Sequence, residues 1–356
     1  MKFYTLFFSI FIALRGFSQF FSISDIVEND RYDTESIFPV LSSKSNPKAA
    51  ERINTYLHFA ELTKVFGKPD SSIFSNVFPP EEEFWGQTGF SYSVYRNDAV
   101  YFSIGISYDN TGSYTEYVTD YFTFISKTGE HVLLEDFFAS TPLITIGEIV
   151  NGRCAERIEK HIKTIDPTQE DADEIIEMYQ GCLESMQGSD YIYSGNFFLE
   201  EDNMVFIKER CSNRMMAALD ELWEFQELMS YEILANFYNQ NALNAYESGI
   251  WNSSEAVTLN DKILTGTINN SYPITARLRI DLEEGQISGV YWYDKVKSEL
   301  HVSGLIKKNG SYELTEYNQA DEITGFFYGD VEGGTFSGKW ENKDHSKSLP
   351  FILSLE

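Results

Sequence analysis

The chain predicts an α+β unit followed by an all-β unit, the second being an up-and-down barrel of about eight strands. Three observations carry this. Apolar residues recur with periods of both 2 and 3.6 as far as residue 240, and only with period 2 after Lys262. The second part holds eight strand-length runs, with Asn269-Asn270, Glu284-Gly285, Asn309-Gly310 and Gly333-Gly334 between them, residues that hairpins favour. Several of its apolar rows contain a glycine: Gly289 beside Ile287, Tyr291 and Tyr293; Gly304 beside Leu300, Val302 and Ile306; Gly325 beside Ile323 and Phe327; Gly338 beside Phe336 and Trp340. Glycine weakens a flat strand but permits the sharp bend that barrel closure needs. A two-sheet sandwich is the second arrangement that fits.

Residues 1–18 come first in the chain and read as a secretory signal peptide. Lys2 supplies the positive start, residues 3–14 the apolar run, and Gly16-Phe17-Ser18 the small-residue end, with cleavage after Ser18. The run is shorter than the roughly 20 apolar residues a membrane span needs, and no second such run follows, so no span is expected in the mature chain. No cysteine sits at the cleavage site, so a lipid anchor is not indicated. The expected location is periplasmic or secreted. The processed chain divides into an α+β domain over residues 36–240, a polar linker over 241–260, and the barrel-like domain over 261–356.

Residues 20–36 are acidic and polar and read as a lead-in. Phe38-Pro39-Val40-Leu41 is a short edge strand, where proline is tolerated. Asn46 caps a helix with Pro47 at its first position, and Ala50, Ile53, Tyr56 and Leu57 share one face. From Gly89 the period is 2: Phe90, Tyr92 and Val94, then Val100, Phe102, Ile104 and Ile106, then Phe122 and Phe124, then Val132 and Leu134, an antiparallel meander of about four strands. A helix over 146–162 follows. Asp166-Pro167-Thr168-Gln169 reads as the cap of the next helix, with Ala172, Ile175, Tyr179 and Cys182 on its apolar face. Residues 197–199 and 205–207 form a hairpin, and 217–238 read as helical and aromatic.

Composition bounds the function. Hydrophobic residues make up 42%, enough for packed cores. The formal charge is −28, and loss of Lys2 and Arg15 with the signal peptide takes it to about −30. So negative a surface repels phosphate backbones, so no nucleic-acid partner is expected; it attracts basic proteins. Three cysteines, Cys154, Cys182 and Cys211, imply one disulfide between two of them and one thiol, with three pairings open. None has CxxC spacing.

Catalytic motifs are missing. His58, His131, His161, His301 and His345 are too far apart for HxxxH or HExxH metal sites, so no metal ligand is assigned. Residues 166–177 have the length of a calcium loop but carry Asp171 where glycine is required. No GxSxG, phosphate loop or GxGxxG is present, so no catalytic residue and no cofactor are assigned. Trp85, Tyr291, Trp292, Tyr293 and Trp340 could form a sugar-stacking platform, although aromatics mostly fill cores. Trp292 is the candidate ligand contact, because it lies on the strand face opposite Gly289 and Tyr291.

Two stretches resemble known families. Phe38-Pro39-Val40-Leu41 with 49–57 (AAERINTYL), then 121–124 (YFTF) through Thr128-Gly129 to 133–138 (LLEDFF), resembles the RsiV-like extracellular domain of lysozyme-sensing anti-sigma factors, which also accompanies peptidoglycan deacetylase domains. The hairpin at 196–206 and the strand and helix turn at 225–234 extend the resemblance over about residues 36–240. Residues 266–268, 289–293, 324–327 and 338–340 resemble a barrel-like module of exported bacterial proteins that carries no assigned activity. The first resemblance implies a non-catalytic cell-envelope binding protein whose partner is a basic protein such as lysozyme or a peptidoglycan-related glycan, with the barrel as a second binding or spacer module. The alternative is an envelope glycan hydrolase. That would need two close carboxylates in a cleft, one with a raised pKa.

Overall fold

A computed structural model describes residues 19–68, 72–80, 85–186, 196–251, 259–281 and 284–355. The signal-peptide expectation falls on residues 1–18, outside the described residues.

The chain opens on a two-stranded antiparallel sheet, β1 (Ser22–Asn29) and β2 (Glu35–Ser42). The expected lead-in is therefore mostly a strand. Its pattern was faint because β1 buries little; what fixes it is Phe21, fully buried against Phe102, with its N–H and C=O both bonded by the Asn97 side chain at 2.9 Å. Helix α1 (Pro47–Leu62) begins as expected, with the Asn46 side chain accepting from the Ala49 N–H. The meander follows in spatial order: β3 (Gly86–Asn97), β4 (Tyr101–Thr111), β5 (Glu116–Ile125) and β6 (Glu130–His131). Its inner face, with Phe90, Phe102, Ile104, Ile106, Phe122 and Phe124, packs with Ile53, Tyr56 and Leu57 of α1.

Beyond it come α2 (Leu134–Phe137), α3 (Ser140–Ile162) and α4 (Ala172–Ser185), then a three-stranded sheet of β7 (Phe197–Leu199), β8 (Asn203–Lys208) and β9 (Phe225–Ser230), then α5 (Tyr231–Leu234) and α6 (Gln240–Ser248). Three expectations are corrected here. Asp166 does not cap α4: its carboxylate takes the N–H and hydroxyl of Thr168 in a local turn, and the helix starts at Ala172. Residues 217–238 are a single 3-10 turn (Ala217–Leu219), a strand and α5, because buried positions alternate through Phe225, Glu227 and Met229. The expected linker holds α6, capped by Asn239 and ended by Gly249 in the left-handed region.

The rest is a closed antiparallel barrel in simple up-and-down order: β10 (Lys262–Ile268), β11 (Tyr272–Asp281), β12 (Gln286–Tyr293), β13 (Glu299–Ile306), β14 (Tyr312–Tyr317), β15 (Ile323–Glu332), β16 (Thr335–Asn342) and β17 (Ser348–Ser354), with β10 pairing β17 to close it. Leu264, Ile274, Val302, Leu314, Phe327, Phe336 and Phe351 fill the interior. Outward positions such as His301, Ser303, Glu313 and Lys339 are exposed. Apolar inside and polar outside is the reverse of a lipid-facing barrel. Glycines stand at the tightest approaches between strands: a Cβ at Gly266 would overlap the Ile352 carbonyl oxygen across the closing seam, and one at Gly304 the Glu313 carbonyl oxygen.

The outer wall of β11 and β12 lies on α1. Trp292 is 2% exposed and packs with Val290, Phe59 and Val65, its ring 5.8 Å from that of Phe59. The expected ligand contact at Trp292 is thus overturned: the face opposite Gly289 is not open, because α1 covers it. Polar groups line the same seam. Tyr56 Oη donates to Asp261 at 2.6 Å, and the Arg277 guanidinium pairs with Asp261 at 2.5 Å. Lys262 Nζ reaches Glu130 at 2.9 Å and Asp136 at 3.1 Å.

Candidate binding cleft

The outer face of the meander carries small side chains because β4 and β5 alternate. Ser103 and Thr123 bond each other, as do Ser107 and Thr119, each pair at 2.9 Å. Gly105 lies among them, and Tyr95 lies over it: a Cβ there would meet the Tyr95 ring at 3.1 Å. Tyr95 stacks on Phe198 with ring centroids 3.9 Å apart, and Tyr121 stacks on Phe198 at 5.2 Å. This aromatic layer separates the meander from the three-stranded sheet. Past its edge the two sheets enclose an open cleft of about 870 Å³.

Residues 208–210, 212–214, 223, 224 and 226 line the facing wall. The β8–β9 ladder ends at Lys208↔Phe225; Lys208 reaches Asn151 of α3 at 2.9 Å, whereas Glu224, just before β9, meets Tyr121 of the meander. Glu224 accepts from Tyr121 Oη at 2.9 Å and Gln226 Nε2 at 3.3 Å. Burial raises its carboxyl above the ordinary range, and the charge of Glu209 adds to this against the two hydrogen bonds. Arg210 and Arg214 both pair with Glu116 of β5, Arg210 at 2.5 Å. Asp220 organises the approach to Trp223. It accepts from Tyr179 Oη at 2.8 Å and from the N–H groups of Ser212, Leu222 and Trp223 at 3.0–3.2 Å. Trp223 sits at φ 53° and is 54% exposed; Tyr117 across the cleft is 63% exposed. Ser212 lines the same cleft; it is only 8% exposed, and its hydroxyl has no hydrogen-bond partner among the described residues.

The remaining residues singled out from the sequence lie elsewhere. Cys182 and Cys211 are bonded, tying α4 to the segment that carries Arg210 and Ser212. Cys154 is a buried free thiol, pushed up to about 11 chiefly by burial, which makes it inert. Of the suggested aromatic platform, Tyr291 and Trp340 point into the barrel, where both donate to Glu316, at 2.5 and 2.7 Å. Trp85 is exposed over Gly112, apart from them. The five histidines are dispersed, and among the described residues no group of three or more His, Cys, Asp or Glu is placed to hold a metal. Sequence reading missed the cleft residues. They come from several separated segments of the chain, and no local spacing marks them.

No helix among the described residues is long and apolar enough to cross a membrane. No protein-family model matches the chain. No curated protein matches it either. Among solved structures, the chain is similar to a member of the DUF3298 family from Bacteroides fragilis NCTC 9343, at 13% identity and a TM-score of 0.43, over 65% of this chain and 99% of that one.

Proposed function

We propose that the protein is an exported cell-envelope protein that binds a peptidoglycan-related glycan in the cleft between the meander and the three-stranded sheet. The observation that carries this reading is the lining. Two exposed aromatic residues, Trp223 and Tyr117, line the same cleft as Ser212, whose buried hydroxyl lacks a partner among the described residues. A sugar ring offers apolar C–H faces to stack on aromatics and hydroxyls at its rim to satisfy such a group. A buried hydroxyl left unpaired costs about 1–3 kcal/mol, which a ligand can recover.

A basic protein such as lysozyme is the second reading, and it rests on the net charge of −28. It fits the cleft less well, since Arg210 and Arg214 line it and already pair with its Glu116 carboxylate. Calorimetric titration of the processed chain separates the two. Chitohexaose or soluble peptidoglycan fragments should bind saturably, with little salt dependence, and Trp223→Ala should weaken binding about tenfold. Heat from lysozyme at low salt with none from either glycan would replace the glycan reading with the protein one.

A further inference from the structure

We propose that the cleft selects an anionic glycan, with Arg210 and Arg214 forming a subsite for a carboxylate carried by the sugar. This rests on the glycan reading above and names the class of glycan.

The subsite is built on Glu116, the first residue of β5. One of its carboxylate oxygens takes Arg210 Nη2 at 2.5 Å, and the other takes Arg214 Nε. All three side chains line the cleft. Two guanidinium groups on one carboxylate leave an excess of positive charge. They also leave donors. A guanidinium carries five N–H groups in a planar fork. Arg210 uses its Nε on the Ser212 carbonyl at 3.2 Å and one Nη2 hydrogen on Glu116; Arg214 uses only its Nε. Their other N–H groups have no partner among the described residues. Arg214 is half-exposed, so its free fork is open to a ligand in the cleft. Such a fork takes a carboxylate through two parallel charge-assisted bonds, which a neutral hydroxyl cannot match.

The arginines are held before a ligand arrives. Glu116 fixes both guanidinium groups from the meander side. The segment that carries them is tied to α4 by Cys182–Cys211, and Asn213 Oδ1 accepts the N–H groups of Met215 and Met216 at 2.9 and 3.1 Å. Groups held in this way lose little freedom on binding. The net charge of −28 does not forbid an anion here. At physiological ionic strength fields fall off over about 8 Å, so the local excess of positive charge governs the contact. Glu209 and Glu224 line the same cleft and repel an anion, which leaves the arginine pair as the place where one is accepted. Tyr117, the residue after Glu116, also lines the cleft and is exposed, a neighbouring aromatic face for the ring that bears the carboxylate.

The test is calorimetric titration of the processed chain with two glycans of equal length. One is the peptide-free peptidoglycan strand, in which every second N-acetyl sugar carries a lactyl carboxylate. The other is the chitooligosaccharide, the same backbone without it. The strand is expected to bind at least about tenfold more tightly, and amidation of its carboxylates should abolish the difference. Arg214→Gln should bring the two Kd values within about threefold, with the chitooligosaccharide Kd and the melting temperature held. Equal affinity of the parent chain for both glycans overturns the anionic subsite and leaves the glycan reading standing. A preference that survives Arg214→Gln overturns the assignment to the arginine pair. Absence of binding to both glycans removes the glycan reading, and this proposal with it.

Discussion

Lys262 offers the sharpest test of how the barrel is joined to the rest of the chain. Its side chain is 2% exposed, and it is held by Glu130 of β6 and by Asp136 of α2. Asp136 in turn accepts the Leu133 N–H at 2.8 Å, and its carbonyl accepts from Asn239, the residue that caps α6. One ammonium thus ties the first barrel strand to β6 and α2, and the Asp136 backbone carries the link on to the cap of α6. Burial works to lower the Lys262 pKa, but the two carboxylates outweigh it and raise it. Lys262→Met removes the cation and leaves two carboxylates facing each other in a dry site. Breaking a buried pair in this way costs about 3–5 kcal/mol. For a chain of this size that is on the order of 10 °C in Tm. The triple variant Lys262→Met/Glu130→Gln/Asp136→Asn carries no stranded charge and should recover at least about 2 kcal/mol of the loss. The pH sign follows from the raised folded-state pKa: the contribution is full below the unfolded value of about 10.4 and is lost as pH rises through the folded value. Urea and thermal melts of the three chains decide. A single variant within about 1 kcal/mol of the parent would refute the reasoning. So would a triple variant no better than the single, which would put the loss in packing and not in charge.

Trp292→Ala should cost about 3–5 kcal/mol, as for a buried aromatic, yet leave glycan Kd within about twofold, because Trp292 lies against α1 on the far side of the meander from the cleft; a large change in Kd at unchanged stability would return it to the ligand site. Cys182→Ser with Cys211→Ser opens a loop with sequence separation 29, should cost roughly 3–4 kcal/mol, and should weaken cleft binding by loosening Arg210 and Ser212; thiol titration of the denatured parent should find Cys154 and no other thiol. His58 and His131 are both held down to about 4, mainly by burial, so the unfolded chain binds protons that the folded chain refuses, and stability should fall between about pH 6.5 and 4 by up to about 1.4 kcal/mol per pH unit for each. The raised carboxyl of Glu61 works in the opposite direction, so the measurement is the difference between the parent and His131→Gln, whose urea midpoints should converge as pH falls; parallel pH profiles would show that His131 titrates normally.

The barrel was legible because its rules are local. Short turns of two to five residues join each pair of consecutive strands, alternation sets each inward face, and a glycine marks the closest approaches. Closure itself, and so the choice against a sandwich, depended on β10 meeting β17 across about 90 residues, which no local pattern states. The α1 cap was legible for the same local reason. The Asp166 motif misled because its carboxylate is satisfied within two residues and has nothing left for a helix end. The cleft was illegible because its chemistry is assembled from β5, the end of β8 and the turn before β9. Tyr121 and Glu224 meet across about 100 residues of sequence, which no local pattern states.

The barrel, expected as a second binding or spacer module, meets the rest of the chain along a closely bonded seam. A spacer needs a joint that can move, whereas here Asp261, at φ 55°, is fixed by Tyr56 and Arg277, Lys262 is buried between two acids, and Ile263 belongs to the apolar core of α1 and the meander. Helix α1 is therefore a middle layer. It presses the inner face of the meander on one side and receives the barrel wall on the other. The outer face of that same meander carries Tyr95, Tyr117 and Tyr121. Two packed layers behind a four-stranded sheet leave its strands little freedom to shift. That rigidity would help keep Tyr121 within hydrogen-bond reach of Glu224 on the outer face.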